Sequence, residues 1–284
     1  MFFRNWRRRR LLARHPLDPQ LWAAVCADLP ILAGLDAAER QRLGELCLLF
    51  LHDKQLSSLP GVELDDSARL YLAAQACLPL LNLPDLDWYQ GFRQLLLYPD
   101  DFLSPQRHRD EAGVEHVWDD ERSGEAWQQG PVILAWPGVQ ASGTLDGYNL
   151  VIHELAHKLD MLNGSANGQP PLHPDMRSDA WAGAMQAAYD RLNAELDRNP
   201  DAATAIDPYA AESPAEFFAV ASEYFFSAPD LLQDAFPAVY EQLGLLYRQD
   251  PRQRLASELS QLHAQASQLM TNETTMPATP DGET

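Results

Sequence analysis

Read for where its apolar side chains recur, the chain changes character near residue 92. Before that point they return every three or four positions. Leu21, Trp22, Val25 and Leu29 do so in 19–29, and Leu43, Leu46, Cys47, Leu49 and Phe50 in 36–52. This spacing keeps one face of a helix apolar. Asp36 stands three residues before Glu39, the signature of a capped helix start. A third helix is expected from Asp65 or Asp66 to Leu83, bent or ended at Pro79. Nothing in this part has the spacing of a catalytic constellation, so it is expected to pack and to offer a partner surface.

From Phe92 the period shortens. Gln94–Tyr98 reads as a strand stopped by Pro99-Asp100-Asp101. Residues 102–136 read as strands and turns: Gly113 and Ser123-Gly124 mark turns, and Val114, His116 and Trp118 alternate with polar neighbours. The short apolar run from Pro131 to Trp136 is bounded by Gly130-Pro131 and Pro137-Gly138 and reads as a further strand. Helical spacing then returns in 149–162, 179–197, 213–226 and from Pro237 to about Gln268. The core faces are Trp181, Met185, Ala188, Tyr189 and Leu192 in the second of these, and Phe217, Phe218, Val220, Ala221, Tyr224 and Phe225 in the third. No internal repeat is visible, and the last residues are polar enough to expect disorder.

The helix over 149–162 carries the chemistry. Its apolar pattern, Leu150, Val151, Ile152, Leu155, Ala156, Leu159 and Leu162, implies burial on most faces. Set into it are His153, Glu154 and His157, spelling H-E-x-x-H. Positions i and i+4 lie one turn apart on one helix face, so both imidazoles can address one cation, and Glu154 can reach a water beside it. A surface helix carrying two histidines and a glutamate is the plainer alternative. The apolar flanks oppose it, because buried polar groups need partners and a metal supplies one. Residues 138–148 hold Gly138, Gly143 and Gly147, but neither G-x-G-x-x-G nor Gly-Lys-Ser/Thr, which excludes a phosphate loop.

A catalytic zinc takes three protein ligands and keeps a position open. The extended pattern H-E-x-x-H-x-x-G-x-x-H fails, with Asp160 where glycine is required and Asn163 where histidine is required. Glu216 and Glu223, seven apart on an apolar helix, are the stronger candidates, and His173 lies in a proline-rich loop. Glu216 could equally complete a capping box over Ser213-Pro214-Ala215-Glu216, and Glu223 could form a salt bridge. On residue chemistry alone the choice stays open.

Charge and composition narrow the class. The chain has 284 residues and a net charge of −20, which disfavours a nucleic-acid phosphate backbone as partner. The exception is the start, with Arg4, Arg7, Arg8, Arg9, Arg10 and Arg14. It could touch an acidic partner or an anionic lipid surface, and is expected to be a solvated, poorly ordered end. It lacks the 7–15-residue apolar core of a secretory signal, since Leu11, Leu12 and Ala13 run straight into Arg14. No apolar run reaches the ~18 residues of a membrane span. Cys26, Cys47 and Cys77 sit in apolar helical contexts and read as buried free thiols. A cytoplasmic location is expected.

Three blocks, 123–136 (SGEAWQQGPVILAW), 146–164 (DGYNLVIHELAHKLDMLNG) and 207–231 (DPYAAESPAEFFAVASEYFFSAPDL), together resemble the Mlc titration factor A family of bacterial zinc metallopeptidases. That family is similar in its catalytic region to anthrax lethal factor. The resemblance covers about residues 20–255. It implies an α+β fold: a zincin-like catalytic domain over 92–268 with a small mixed sheet, preceded by an N-terminal helical part over 19–91. Residues 1–18 form the basic start and 269–284 the tail. It implies one Zn2+ per chain held by His153, His157 and Glu216, with Glu154 as catalytic base. It also singles out Tyr209, seven residues before Glu216, as a group beside the metal. Val220 stands where lethal factor has an acidic residue, so Asp160 or Glu223 is expected to hold a ligand histidine instead. The implied activity is zinc-dependent hydrolysis of peptide bonds through a metal-activated water, as aminopeptidase or endopeptidase, with the peptide added as a strand along the sheet edge at PVILAW or a neighbour. A transcriptional repressor of the Mlc kind, acting in sugar-uptake regulation, is the implied protein partner. The alternative is a non-catalytic repressor-sequestering protein with a structural or regulatory zinc.

Overall fold

The computed structural model describes residues 2–84, 86–109, 115–128 and 130–257. In chain order the helices and strands of the first half are α1 (Phe2–Arg14), α2 (Pro19–Ala27), α3 (Ala37–Asp53), β1 (Gln55–Ser58), α4 (Asp66–Cys77), β2 (Gln94–Tyr98), β3 (Phe102–Arg109) and β4 (Glu115–Arg122). They continue as β5 (Gly124–Ala126), β6 (Val132–Ala135), α5 (Trp136–Ala141), α6 (Leu150–Asp160), α7 (Ser178–Arg198), α8 (Pro214–Ser227), α9 (Pro229–Ala235) and α10 (Pro237–Tyr247). The fold is α+β, as the periodicity and the resemblance implied.

The helix starts follow local chemistry. Asp18, Asp36, Asp65, Asn149 and Ser213 each accept a backbone N–H from the first turn of the helix they precede. At Asp36 the box is reciprocal, with Glu39 reaching back to the Asp36 N–H at 3.0 Å. Pro79 ends α4, which tightens into a short 3-10 turn over Leu78–Leu80.

The main sheet is ordered β1-β2-β6-β5. β1, β2 and β6 run parallel, and β5 lies antiparallel to β6 at the edge. β3 and β4 form a separate two-stranded hairpin, register Phe102↔Arg122 to Arg109↔Glu115. The turn expected at Gly113 lies outside the described residues. Parallel strands need covering on both faces, which explains why β6 reads as an unbroken apolar run, buried at every position.

Four expectations are corrected. β1 lies inside the stretch read as the N-terminal helical part and pairs with β2, so the sheet crosses the boundary expected at residue 91; its four residues QLSS carry too little alternation to register as a strand. One continuous apolar core then runs from Val25 to Tyr247. The start is not a loose end: Phe2–Arg14 is helical and packs on α3 through half-buried Leu11 and Leu12. Of the two places expected for an added peptide strand, PVILAW itself is not an edge, because β6 is enclosed by β2 and β5; its neighbour β5 is the edge on that side, as β1 is on the other. The helix expected from Pro237 to Gln268 stops at Tyr247, where Arg248 turns left-handed (φ 56°), and a new helical turn begins at Pro251. Residues 258–268 of that expectation, and the tail, lie outside the described residues.

The core is densest around α8 and α10. The Phe225 ring meets Phe226, Tyr240 and Tyr247 at centroid distances of 5.0, 4.9 and 5.6 Å. Phe225→Ala empties a fully buried aromatic site and is expected to destabilise the protein by about 3–5 kcal/mol, read as a lowered urea midpoint with little change in slope.

Candidate metal centre

α6 is the buried helix of the site, with every residue from Leu150 to Asp160 inside. Its apolar faces fix its rotation, and that rotation sends His153 and His157 the same way. α8 packs directly against it and brings Glu216 from its first turn. The result is three donor atoms at mutual distances set by two helices rather than by a loop. His153 Nε2 lies 3.1 Å from Glu216 Oε2, His157 Nε2 lies 3.2 Å from the same oxygen, and the two imidazole nitrogens are 3.2 Å apart.

That triangle suits a cation. Four tetrahedral ligands about 2.0–2.1 Å from zinc stand roughly 3.3–3.4 Å from each other. Hydrogen bonds alone satisfy the arrangement poorly, since each of the three atoms faces both others. The tautomer is set from behind: His153 Nδ1 lies 2.7 Å from Glu223 Oε1. An Nδ1–H donated to Glu223 leaves the Nε2 lone pair facing Glu216 and His157. Among the described residues, His153, His157 and Glu216 form the cluster with the geometry to hold a metal ion.

Electrostatics agree with this. Burial alone would raise the Glu216 carboxyl, but its hydrogen bonds to the two histidines outweigh that and hold it well below the ordinary carboxylate range. Burial disfavours charge on His153, yet Glu223 and Glu216 overcome it and raise the imidazole well above its usual value, so the lone pair at Nε2 is the one a cation gains by displacing a proton. Such a buried excess of acid over base is the field a divalent ion neutralises.

The other candidates are placed too. Ser213 Oγ accepts the Glu216 N–H at 3.1 Å, so the cap forms. The Glu216 carboxylate, however, turns away to the histidines, so the reciprocal half of the capping box is missing. Glu223 is the support of a histidine rather than a member of the triangle. Asp160 accepts three backbone N–H groups, from Asn167, Gly168 and Gln169 at 2.7, 2.7 and 2.9 Å, and ties down the loop after α6. His173 is occupied elsewhere, at 2.8 Å from the Leu246 carbonyl. Tyr209, in the turn Pro208–Ala211, puts its ring 6.0 Å from that of His153 and is 37% exposed.

A cleft of about 510 Å³ reaches the centre at His153. Glu154, Gly124, Tyr148, Tyr209 and Tyr224 line it. Burial and the carboxylates of Glu223, Asp101 and Glu154 push the Tyr148 phenol up to about 12, so it stays a hydrogen-bond donor at neutral pH.

Several contributors escape the motif. Asn149 caps α6 through its side chain, 2.9 Å from the Ile152 N–H. Its own N–H donates to Glu223 Oε2 at 2.6 Å and its side-chain amide to Gln75 at 2.9 Å. The chain Gln75–Asn149–Glu223–His153 thus ties α4 to the centre. A polar Gln75 in the apolar face of α4 was the available signal. Gly124 on edge strand β5 sits so close to Glu154 that a Cβ there would overlap its carboxylate. Lys158, nearly fully buried, donates to the Trp127 and Gly130 carbonyls and pins the turn that returns β5 to β6.

Comparison with known proteins agrees with the geometry. The model for the glucose-regulated metallo-peptidase M90 family matches residues 3–248. The chain is 44% identical over 235 residues to Mlc titration factor A of Salmonella arizonae, covering 83% of this chain and 93% of that one. To the protein of the same name from Salmonella paratyphi B it is 43% identical over 227 residues, covering 80% and 85%. To that of Enterobacter sp. strain 638 it is 42% identical over 227 residues, with the same coverage. A match over nearly the whole length, on a chain whose buried histidines and glutamate converge as a metal site, means that this protein belongs to the glucose-regulated metallo-peptidase M90 family.

Proposed function

We propose that the protein is a zinc-dependent peptidase in which His153, His157 and Glu216 hold the metal and Glu154 is the catalytic base. The observation that carries this reading is the three-atom triangle, reached at His153 by a cleft that the buried carboxylate of Glu154 also lines. Two nitrogens and one carboxylate oxygen are the donor set of hydrolytic zinc sites, with a coordination position to spare. Bound there, zinc supplies Lewis acidity that lowers the pKa of a water toward ~7 and polarises a carbonyl.

The protein's own groups do the rest. Glu154 takes the proton from the attacking water and passes it to the departing amine. Tyr209 donates its O–H toward the oxyanion that develops on the carbonyl, a position where one aimed donor is worth about 3–4 kcal/mol. β5 offers the extended backbone beside which a peptide lies as a further strand. Glu223 holds His153 in the tautomer that leaves Nε2 unprotonated.

Binding of a transcriptional repressor is a second reading, favoured by the name Mlc titration factor A that its relatives carry. A Glu154→Gln variant separates the two. Zinc content should persist while kcat/KM on peptides falls about a hundred- to ten-thousandfold, and pull-down of the repressor should be retained. Full peptide hydrolysis by a zinc-loaded Glu154→Gln protein would sink the enzymatic assignment.

Two further outcomes follow from the contacts around the triangle. Glu223→Gln should weaken zinc about ten- to a hundredfold, measured by chelator competition, with the fold intact by circular dichroism. Gly124→Ala should leave zinc affinity unchanged but lower kcat by about a hundredfold, because it displaces Glu154 and no ligand. Equal loss of metal in both variants would contradict the division of labour between the two glutamates.

A further inference from the structure

Helix α1 is a basic element on an acidic protein. It carries six arginines in a chain of net charge −20. Its docking fixes which side looks outward. Leu11 and Leu12 are half-buried toward α3, and Arg8 reaches Asp87 at 3.9 Å. At ~100° per residue, positions 8, 11 and 12 share that inner side, and positions 6, 10 and 13 fall opposite. Trp6, the aromatic of this outer side, is 54% exposed, with the Arg10 guanidinium 5.2 Å from its ring centroid. Arg7, Arg9 and Arg14 flank the same side and are exposed. Beside Trp6 a cleft of about 770 Å³ runs past Arg14 to His15 and His52, with Asp53 and Asp87 also in its wall.

We propose that the outer face of α1 docks on anionic lipid headgroups, lying in the plane of the membrane surface. An exposed tryptophan edged by arginines, on a helix too short and too charged to span a bilayer, is the composition of an interfacial helix. No described helix is long and apolar enough to cross a membrane. The exposed Trp6 favours lipid over an acidic protein. Its indole has a place to go at the headgroup–acyl boundary, whereas a charged protein surface offers it none. The acidic body does not cancel the attraction. Charges more than the Debye length of about 8 Å from the headgroups are screened at physiological salt, which leaves the local arginines to decide.

Each arginine near an anionic leaflet strengthens partition roughly fivefold, so Arg7, Arg9, Arg10 and Arg14 together supply several hundredfold. The test is sedimentation of the full-length protein with sucrose-loaded vesicles, using phosphatidylcholine alone or mixed with phosphatidylglycerol. The wild type should sediment with the mixed vesicles, not with phosphatidylcholine alone, and should be released by high salt. Replacing the four arginines by alanine should lower partition several hundredfold, whereas replacing them by lysine should keep most of it. Trp6→Ala should lower it several-fold. Peptidase activity on a soluble substrate reports that the variants are folded, since α1 lies outside the metal centre. Three results would each overturn the proposal: equal binding to phosphatidylcholine alone, full binding by the alanine variant, or competition by soluble polyglutamate as effective as that by the vesicles. The last would reassign the face to an acidic protein.

Discussion

The structure depends on the packing of α6 against α8. Two side chains one helical turn apart on the first helix, and one from the first turn of the second, are brought within 3.1–3.2 Å of one another. No loop holds any of the three. Core packing therefore sets the donor geometry: Val151, Ile152 and Leu155 on one helix, and Phe217, Phe218 and Phe225 on the other, are all buried at 1% exposure or less. Interiors packed to crystal-like density transmit little slack, so a site built this way is preorganised before any ion arrives. The corollary is sensitivity, because a shift of either helix would open the triangle without touching a ligand.

Buried polar groups concentrated in one place carry a large desolvation penalty unless each is partnered. Here the penalty is offset in layers. Glu223 serves both the His153 imidazole and the Asn149 N–H, Asn149 caps the helix that carries the histidine, and its amide reaches Gln75 on α4. The N-terminal helices are thereby joined to the centre. β1 completes the sheet from one side and Gln75 completes the polar network from the other.

How much of this the sequence discloses differs by kind of signal. The H-E-x-x-H helix, its apolar flanks and the capped helices are local, and their periodicities are legible. The third member of the triangle is not, because Glu216 lies 59 residues beyond His157 and its local context reads equally well as a cap. Resemblance to a family, not spacing, singled it out. The support for His153 was narrowed only to Asp160 or Glu223. Asp160 sits on the same helix at helical spacing, yet its carboxylate is consumed by three loop N–H groups, a competition that no pattern in one segment reveals. β1 was missed for a different reason. Four polar-leaning residues become a strand only because β2 offers them a ladder. The break after α10 was visible in principle at Asp250-Pro251, but the apolar period runs through it.

The environment of Glu154 bears most on what the centre is for. A structural metal site closes its shell with a fourth protein ligand and has no need of an acid beside it. Here a cleft reaches the centre at His153, and a further acid, Glu154, lines that cleft. Glu154 is buried at 4% exposure, and the edge strand gives up its side chain at Gly124 to admit the carboxylate. Lys158, one turn along the same helix, fastens the turn behind that strand to the Trp127 and Gly130 carbonyls. Strand edge, glycine and acid are thus held in register with the histidines by a single helix. A buried carboxylate in that position is what the proposed proton transfer requires, whereas sequestering a partner requires surface shape and no such internal alignment.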